Sequence, residues 1–226
     1  MKITWLGQAG LLLETQGLTV IVDPYLSDSV EQIQPHFWRR VPVEKGFLEI
    51  VPDVIVLTHD HLDHTDPDTL CHYLGEDSSV CVLASGNAWE RVRRQFGGLR
   101  NNYVSFNAGT EWIEKGVHFK AVYANHSDPF AIGVLITAED KTYYVTGDTL
   151  YDERILDSLP QKIDAVFLPV NGVGNNMNMT DAARFCRRIG AVAVPMHCGL
   201  FDEKDMNDFP YEKKIVPEFY KEVALK

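Results

Sequence analysis

Four cysteines in 226 residues (Cys71, Cys81, Cys186 and Cys198) form no CxxC pair. That argues against a disulfide framework and against a thiolate zinc site, and reads as reduced thiols of a cytoplasmic protein. Long apolar runs are also missing: none approaches the ~20 residues that span a bilayer, so no membrane partner is expected. The start, MKITWLGQAGLLLE, carries one lysine and an interrupted apolar run without a cleavage site, and is not read as a signal peptide. Basic residues are scarce, 21 Lys and Arg against 32 Asp and Glu, for a formal net charge of -11. A non-specific grip on nucleic acid needs basic surface to displace counterions, so nucleic acid is not an expected partner. A small-molecule substrate is, and a pocket carrying metal ions can attract an anionic one. No low-complexity linker divides the chain, so residues 1–226 read as one domain.

The apolar material comes in short pieces, 45% of the chain in all, enough to bury a full core. MKITWLG, GLLLETQ and LTVIVDP are broken by Gly10, Gly17 and Pro24, which predicts a β-meander. PDVIVLTHDH predicts a buried strand running into a loop. DPDTLCHYLGE predicts a helix with Asp66 as N-cap and Pro67 at its first position. SSVCVLAS is a further strand, and NAWERVRRQFGG a helix with Trp89, Val92 and Phe96 on one face.

The second half repeats this plan. GVHFKAVYANHSD, FAIGVLITAED and KTYYVTGDT read as strands, and KIDAVFLPVNG places Asp164 where PDVIVLTHDH has Asp53. MTDAARFCRRIG reads as a helix with Thr180 as N-cap, and AVAVPMHCG as the last strand. Two halves of this kind predict an α/β fold of two sheets packed face to face with helices outside. The segment Ser27 to Phe47 has no counterpart and little periodicity, and reads as a loop or lid of a length often given to function. FPYEKKIVPEFYKEVALK reads as a surface helix.

The chemistry concentrates in LTHDHLDHTDP, residues 57 to 67, which sets three of the chain's 8 histidines among three aspartates directly behind the apolar run VIVL. Alternate side chains of an extended segment share a side, so His59 and His61 can converge on one cation. Asp63 and His64, beyond a turn, can face a second. Imidazole and carboxylate are donors that zinc, manganese and iron accept.

THDHLDH resembles the HxHxDH signature of the metallo-β-lactamase superfamily, and the other motifs of that family follow in order. Asp23 in VIVDP resembles the aspartate that supports the histidine loop. His126 in ANHSD, Asp148 in VTGDT and His197 in VPMHCG resemble the remaining ligands. The resemblance implies an αβ/βα four-layer sandwich. It implies one metal on His59, His61 and His126, a second on Asp63, His64 and His197, and Asp148 bridging both. The cofactors would be two divalent ions, zinc or manganese, with iron compatible, and Asp63, Asp148 and His197 the residues nearest the chemistry. Two cations sharing a water lower its pKa from ~15.7 towards ~7 and polarise a carbonyl or phosphoryl oxygen. The implied activity is hydrolysis of a small ester, lactone or phosphate-containing substrate.

WLGQAGLLLE, VNGVGNNMNMTDAARFCRRIGA and VPMHCG are similar to the L-ascorbate-6-phosphate lactonase-like group, whose lactonase carries long insertions that this chain lacks. For substrate contacts, Asn171 is the first choice among Asn171, Asn175 and Asn178. Arg39 and Arg40, beside His36 and Trp38, suit bidentate contact with an anion. A phosphodiesterase or nuclease-like enzyme would need a basic stripe, and a non-catalytic metal-binding protein would lack a ligand; neither pattern is present.

Overall fold

A computed structural model describes residues 1–98 and 100–225. Strands β1 (Lys2–Gly7), β2 (Gly10–Thr15) and β3 (Leu18–Val22) form the expected antiparallel meander. Strands β4 (Val54–Leu57), β5 (Cys81–Ala84) and β6 (Asn102–Ser105) extend it in parallel into a six-stranded sheet ordered β1 to β6. A second sheet begins with the antiparallel strands β7 (Glu111–Glu114), β8 (Val117–Tyr123), β9 (Ile132–Ala138) and β10 (Lys141–Val145). It closes with the parallel strands β11 (Ala165–Pro169) and β12 (Val192–Met196). The helices are α1 (Ser29–Ile33), α2 (Pro67–Tyr73), α3 (Gly86–Phe96), α4 (Glu153–Asp157) and α5 (Met179–Ile189). No helix among the described residues is long and apolar enough to cross a membrane.

Strand β4 reads VIVL without a polar residue because both of its faces are covered. Val54 and Val56 point into the core between the sheets, shared with Phe119, Val134 and Ile136. Ile55 and Leu57, on the other face, pack under α2 and α3 against Leu70, Tyr73, Ala88 and Val92. Helix α5 lays Ala182, Phe185 and Cys186 into the core of the second sheet. The order helix, sheet, sheet, helix is the four-layer sandwich.

The similarity between halves is visible in bonds. Asp53 accepts from the Thr19 N–H (2.8 Å), returns its own N–H to the Thr19 carbonyl (2.9 Å), and its carbonyl accepts from Cys81 at the start of β5 (2.9 Å). Asp164 makes the same three contacts with Thr142 (2.8 Å each way) and with Val192 at the start of β12 (3.2 Å). Each carboxylate also holds a lysine, Lys115 at 2.7 Å and Lys162 at 3.2 Å.

Some local expectations give way. The N-cap of α5 is Asn178, not Thr180: its side chain accepts from the Thr180 and Asp181 N–H groups at 2.9 Å each, so Thr180 lies inside the first turn. Asp66 does cap α2, accepting from Asp68 and Thr69. Among its described residues the C-terminal stretch forms no α-helix; it runs as an irregular strap, with single bridges from Glu222 to Thr4 and from Lys214 to Ala193. Pro210 and Pro217 sit in that segment and deny it helical hydrogen bonds. Strands β6 and β7, the last strand at one edge of each sheet, are partly exposed and lack the apolar runs that mark the others.

Burial alone would raise the Asp53 and Asp164 carboxyls, yet both are held below the usual carboxylate range, Asp53 by Lys115 and the Thr19 N–H, Asp164 by the Thr142 N–H and Lys162. A depressed pKa gives stability that is present above the ordinary value and lost as pH falls through the folded one. Asp53→Ala and Asp164→Ala are each expected to lower the unfolding free energy by about 1–3 kcal/mol at pH 7. In urea melts the gap to the unsubstituted protein should shrink below about pH 4.

Candidate metal centre

The histidine loop leaves the C-terminal end of β4 and is held from below by Asp23, which follows the neighbouring strand β3. Asp23 is fully buried and its backbone is left-handed, at φ 41°. One oxygen accepts from the Thr58 N–H (2.8 Å), the other from the Thr58 hydroxyl (2.6 Å), and the latter oxygen also meets Nδ1 of His64 (2.8 Å). Thr58 Oγ1 in turn lies 3.1 Å from Nδ1 of His59. Both imidazoles are thus gripped at Nδ1, and their Nε2 atoms are turned to the front of the loop. Within the loop, Thr65 donates to the carbonyls of His59 and His61 (2.8 Å each), closing the turn.

Two groups of donors form in front. The rings of His59, His61 and His126 surround one point edge to face, with centroids 4.4 to 4.7 Å apart, and Asp148 completes that group. Asp63, His64 and His197 form the second. Their separations are 3.3 Å between His64 Nε2 and His197 Nε2, 3.3 Å from His197 Nε2 to Asp63, and 3.8 Å from His64 Nε2 to Asp63. Asp148 reaches this group too, with Oδ1 at 3.4 Å from His64 and Oδ2 at 3.3 Å from His197. Asp23 lies within reach of His59 and His64 as well, but both its oxygens are already engaged by Thr58.

Electrostatics divide the two groups. Burial, helped by the neighbouring imidazoles, holds His59 far below the usual histidine range and pushes His126 down to about 4. Burial also opposes charge on His64 and His197, but the surrounding carboxylates prevail: Asp148, Asp63 and Asp23 raise His64, and Asp148 and Asp63 push His197 up to about 9. The same pairs hold Asp63 and Asp148 below the carboxylate range against their burial.

Several supporting residues are absent from the sequence reading. Gln8, in the β1–β2 turn with φ 48°, is 2% exposed. Its amide donates to Asp63 (2.8 Å) and lies 3.1 Å from the His197 ring, while its carbonyl accepts from the His197 N–H (3.1 Å). A glutamine in the left-handed turn of GQAG, where glycine or asparagine is the usual choice, was the available signal. Asn176 donates to Asp148 Oδ2 (2.9 Å), whereas Asn178, singled out by sequence, caps a helix. Asp128 gathers the backbone N–H of Asp60 and the Asn87 amide, and its own N–H donates to His126 Nδ1 (3.1 Å). Gly147, ahead of Asp148, has φ 60°, and a Cβ there would come within 2.6 Å of the Ile132 carbonyl oxygen, so no other residue fits.

The donors form the floor of a cavity of about 460 Å³ at the C-terminal strand ends. A second depression of about 580 Å³, lined by Lys141, Tyr143 and Asp164, lies at the opposite ends of β10 and β11 and contains no imidazole. The 27–47 segment supplies Val30, Ile33, Gln34 and Phe37 to one wall of the first cavity, as a lid would. Asn171 lines it too, but its amide is committed to protein: Nδ2 is 3.0 Å from His197 Nδ1, and Oδ1 accepts from Val173. Arg39 and Arg40 are not brought to the cavity. The Arg39 side chain is 3% exposed and donates to the carbonyls of Tyr25 (2.6 Å) and Ser27 (3.1 Å) and to the Tyr220 hydroxyl. Arg40 lies over Trp38 and pairs with Glu203 at 3.8 Å. Cys198, beside His197, is buried, its thiol pushed up to about 12 by burial, and it belongs to none of the donor groups.

Residues 19–198 match the family of the beta-lactamase superfamily domain. A UPF0173 metal-dependent hydrolase of Ligilactobacillus salivarius is 32% identical over 232 residues, covering 99% of this chain and 96% of the relative. Another UPF0173 metal-dependent hydrolase, from Geobacillus thermodenitrificans, is 29% identical and covers 89% of this chain and 87% of its own. The solved structure of Igni18, a metallo hydrolase from the archaeon Ignicoccus hospitalis, superposes with a TM-score of 0.74 at 20% identity, over 98% of this chain and 97% of that one. With the fold, the converging histidine and aspartate clusters and these matches in agreement, the chain belongs to the metallo-β-lactamase superfamily and is a metal-dependent hydrolase.

Proposed function

We propose that the centre holds two divalent cations and uses them to hydrolyse a small ester, lactone or phosphate-containing substrate. His59, His61 and His126 hold one ion, Asp63, His64 and His197 the other, and Asp148 spans both. The observation that carries this reading is the spacing of the second group. Ligands about 2.0–2.1 Å from a tetrahedral ion lie roughly 3.3 Å from one another, and four of the five separations around His64 and His197 are 3.3 or 3.4 Å. Two buried atoms without a hydrogen bond, His59 Nε2 and Asp148 Oδ1, support the same assignment, because a buried polar atom that makes none is costly. The donor set suits zinc or manganese, and iron as well. Four free cysteines accord with a reducing, cytoplasmic setting, and the lactonase-like stretches favour ester or lactone cleavage over phosphodiester cleavage.

When bound, the ions supply Lewis acidity and an activated water at neutral pH. The remaining work falls to side chains. Asp63 borders the cavity with 18% of its side chain exposed and is steadied by Gln8; it is placed to take a proton from the attacking water and return it to the leaving group. Asn176 fixes Asp148, and Asn171 and Gln8 fix His197. These are positioning residues.

Protein purified without chelator or a histidine tag should contain about two equivalents of metal by elemental analysis, and near zero with no uptake on adding metal back would overturn the reading. His61→Ala should lower kcat/KM by more than about 100-fold, beyond the cost of losing a supporting residue, while the circular dichroism spectrum is kept. Asp23→Ala should weaken metal affinity about 10–100-fold in a competition titration against a chromophoric chelator. Metal uptake has a defined pH sign. His197, at about 9 in the metal-free centre, is charged at pH 7 and must lose its proton to ligate, so binding releases protons and tightens from pH 7 to pH 9. Calorimetry in buffers of different ionisation enthalpy reads this directly.

A further inference from the structure

The walls of the cavity differ sharply from its floor. Above the donors it is faced by Val30, Ile33, Phe37, Leu62, Val173 and Phe201, from four different segments of the chain. Ile33 and Val173 stand 70% and 43% exposed to it and to solvent, a cost in water that an apolar ligand relieves. No lysine or arginine among the described residues lines the cavity; apart from the donors, its acidic side chains are Asp202 and Asp60, and Arg91 pairs with the latter from outside the lining. The nearby cations are spent elsewhere. Arg91 pairs with Asp60, Lys204 with the Asn171 carbonyl, and Arg39 with the carbonyls of Tyr25 and Ser27. At the floor, the charge of two divalent cations would be offset in part by the carboxylates of Asp63 and Asp148 and, behind His64, by that of Asp23.

Resting on the hydrolase reading above, we propose that this site is built for an uncharged carboxylic ester, open-chain or cyclic, with an aliphatic or aromatic body, and that it discriminates against substrates carrying an anion away from the reacting group. The body lies against Phe37, Val173 and Phe201, and the ester carbonyl reaches the floor. Water adds its oxygen to the carbonyl carbon and the bond to the alkoxy oxygen breaks. The alkoxy oxygen takes a proton by way of Asp63, and the carboxylic acid formed loses one proton to solvent. One water is consumed, and a carboxylate, an alcohol and a proton are released. The anionic product is then the species that an apolar cavity without basic side chains holds least well, which favours its departure. The volume, about 460 Å³, falls within the range of small-molecule sites.

The test uses the metal-loaded enzyme and two p-nitrophenyl esters of equal acyl length, the hexanoate and the mono-ester of adipic acid. The hexanoate is expected to have the higher kcat/KM by about tenfold or more, equivalent to about 1.4 kcal/mol. Along the acetate, butyrate and hexanoate series the value should rise about fourfold per methylene until the wall is filled. Val173→Lys, at an exposed position away from the donors, should narrow the hexanoate-to-adipate ratio severalfold by raising the adipate. Equal rates for the two esters, or a preference for the adipate, would overturn the proposal.

Should neither ester turn over, binding decides separately from catalysis. N-phenyl-1-naphthylamine and its sulfonated counterpart, 1-anilinonaphthalene-8-sulfonate, differ mainly in one anion. The neutral probe should bind the metal-loaded protein about tenfold more tightly by fluorescence, with binding lost in Phe201→Asp. That outcome keeps the substrate class while the hydrolytic reading fails. Equal binding of the two probes, or binding unchanged in Phe201→Asp, removes the substrate class itself.

Discussion

The buried carboxylate of Asp23 is the contact on which the rest of the centre depends. It stands at the end of β3, in left-handed backbone, and ties the N–H and hydroxyl of Thr58 and Nδ1 of His64 to one point. A carboxylate this deep is tolerable only because its bonds replace its lost hydration. In return it sets the ring orientation of His64 directly and that of His59 through Thr58.

Around this anchor the two sheets divide the labour. Parallel strands β3 and β4 deliver Asp23 and the histidine loop from one sheet, and β10, β11 and β12 deliver Asp148, Asn171 and His197 from the other. All of these emerge at the carboxyl ends of their strands, where loops leave a sheet and sites collect. The matched hydrogen bonds of Asp53 and Asp164 sit at the opposite ends of the same strands. Structural repetition is kept where stability is made. Chemistry is placed where the two halves differ.

Backbone strain follows the same division. Gln8, Asp23 and His197 all adopt positive φ without being glycine. Residues other than glycine and asparagine pay of order 1 kcal/mol or more for this conformation, so the surrounding structure must over-determine it. Here it does: the Gln8 carbonyl holds the His197 N–H, and the Gln8 amide meets both Asp63 and His197. Strain at these three points aims side chains from separate segments at one small volume.

The sequence by itself determined most of the elements and the residue types that gather at the centre. Short apolar runs, the breaks at Gly10, Gly17 and Pro24 and the Asp66–Pro67 helix start made the strands and α2 legible, because burial and capping are local properties. The dense histidine stretch after VIVL made the chemistry legible, because such residues cluster behind a buried strand only for a reason that outweighs their hydration. Edge strands β6 and β7 were not legible, since half-exposed strands carry little pattern, and the C-terminal stretch misled because its composition suits a helix that its prolines break. Only the tertiary structure decided that Gln8 and Asn176 support the centre, that Arg39 is spent on backbone carbonyls, and that the cavity is apolar and without basic side chains. Those outcomes depend on which segments meet across the fold, and distance along the chain carries no record of that.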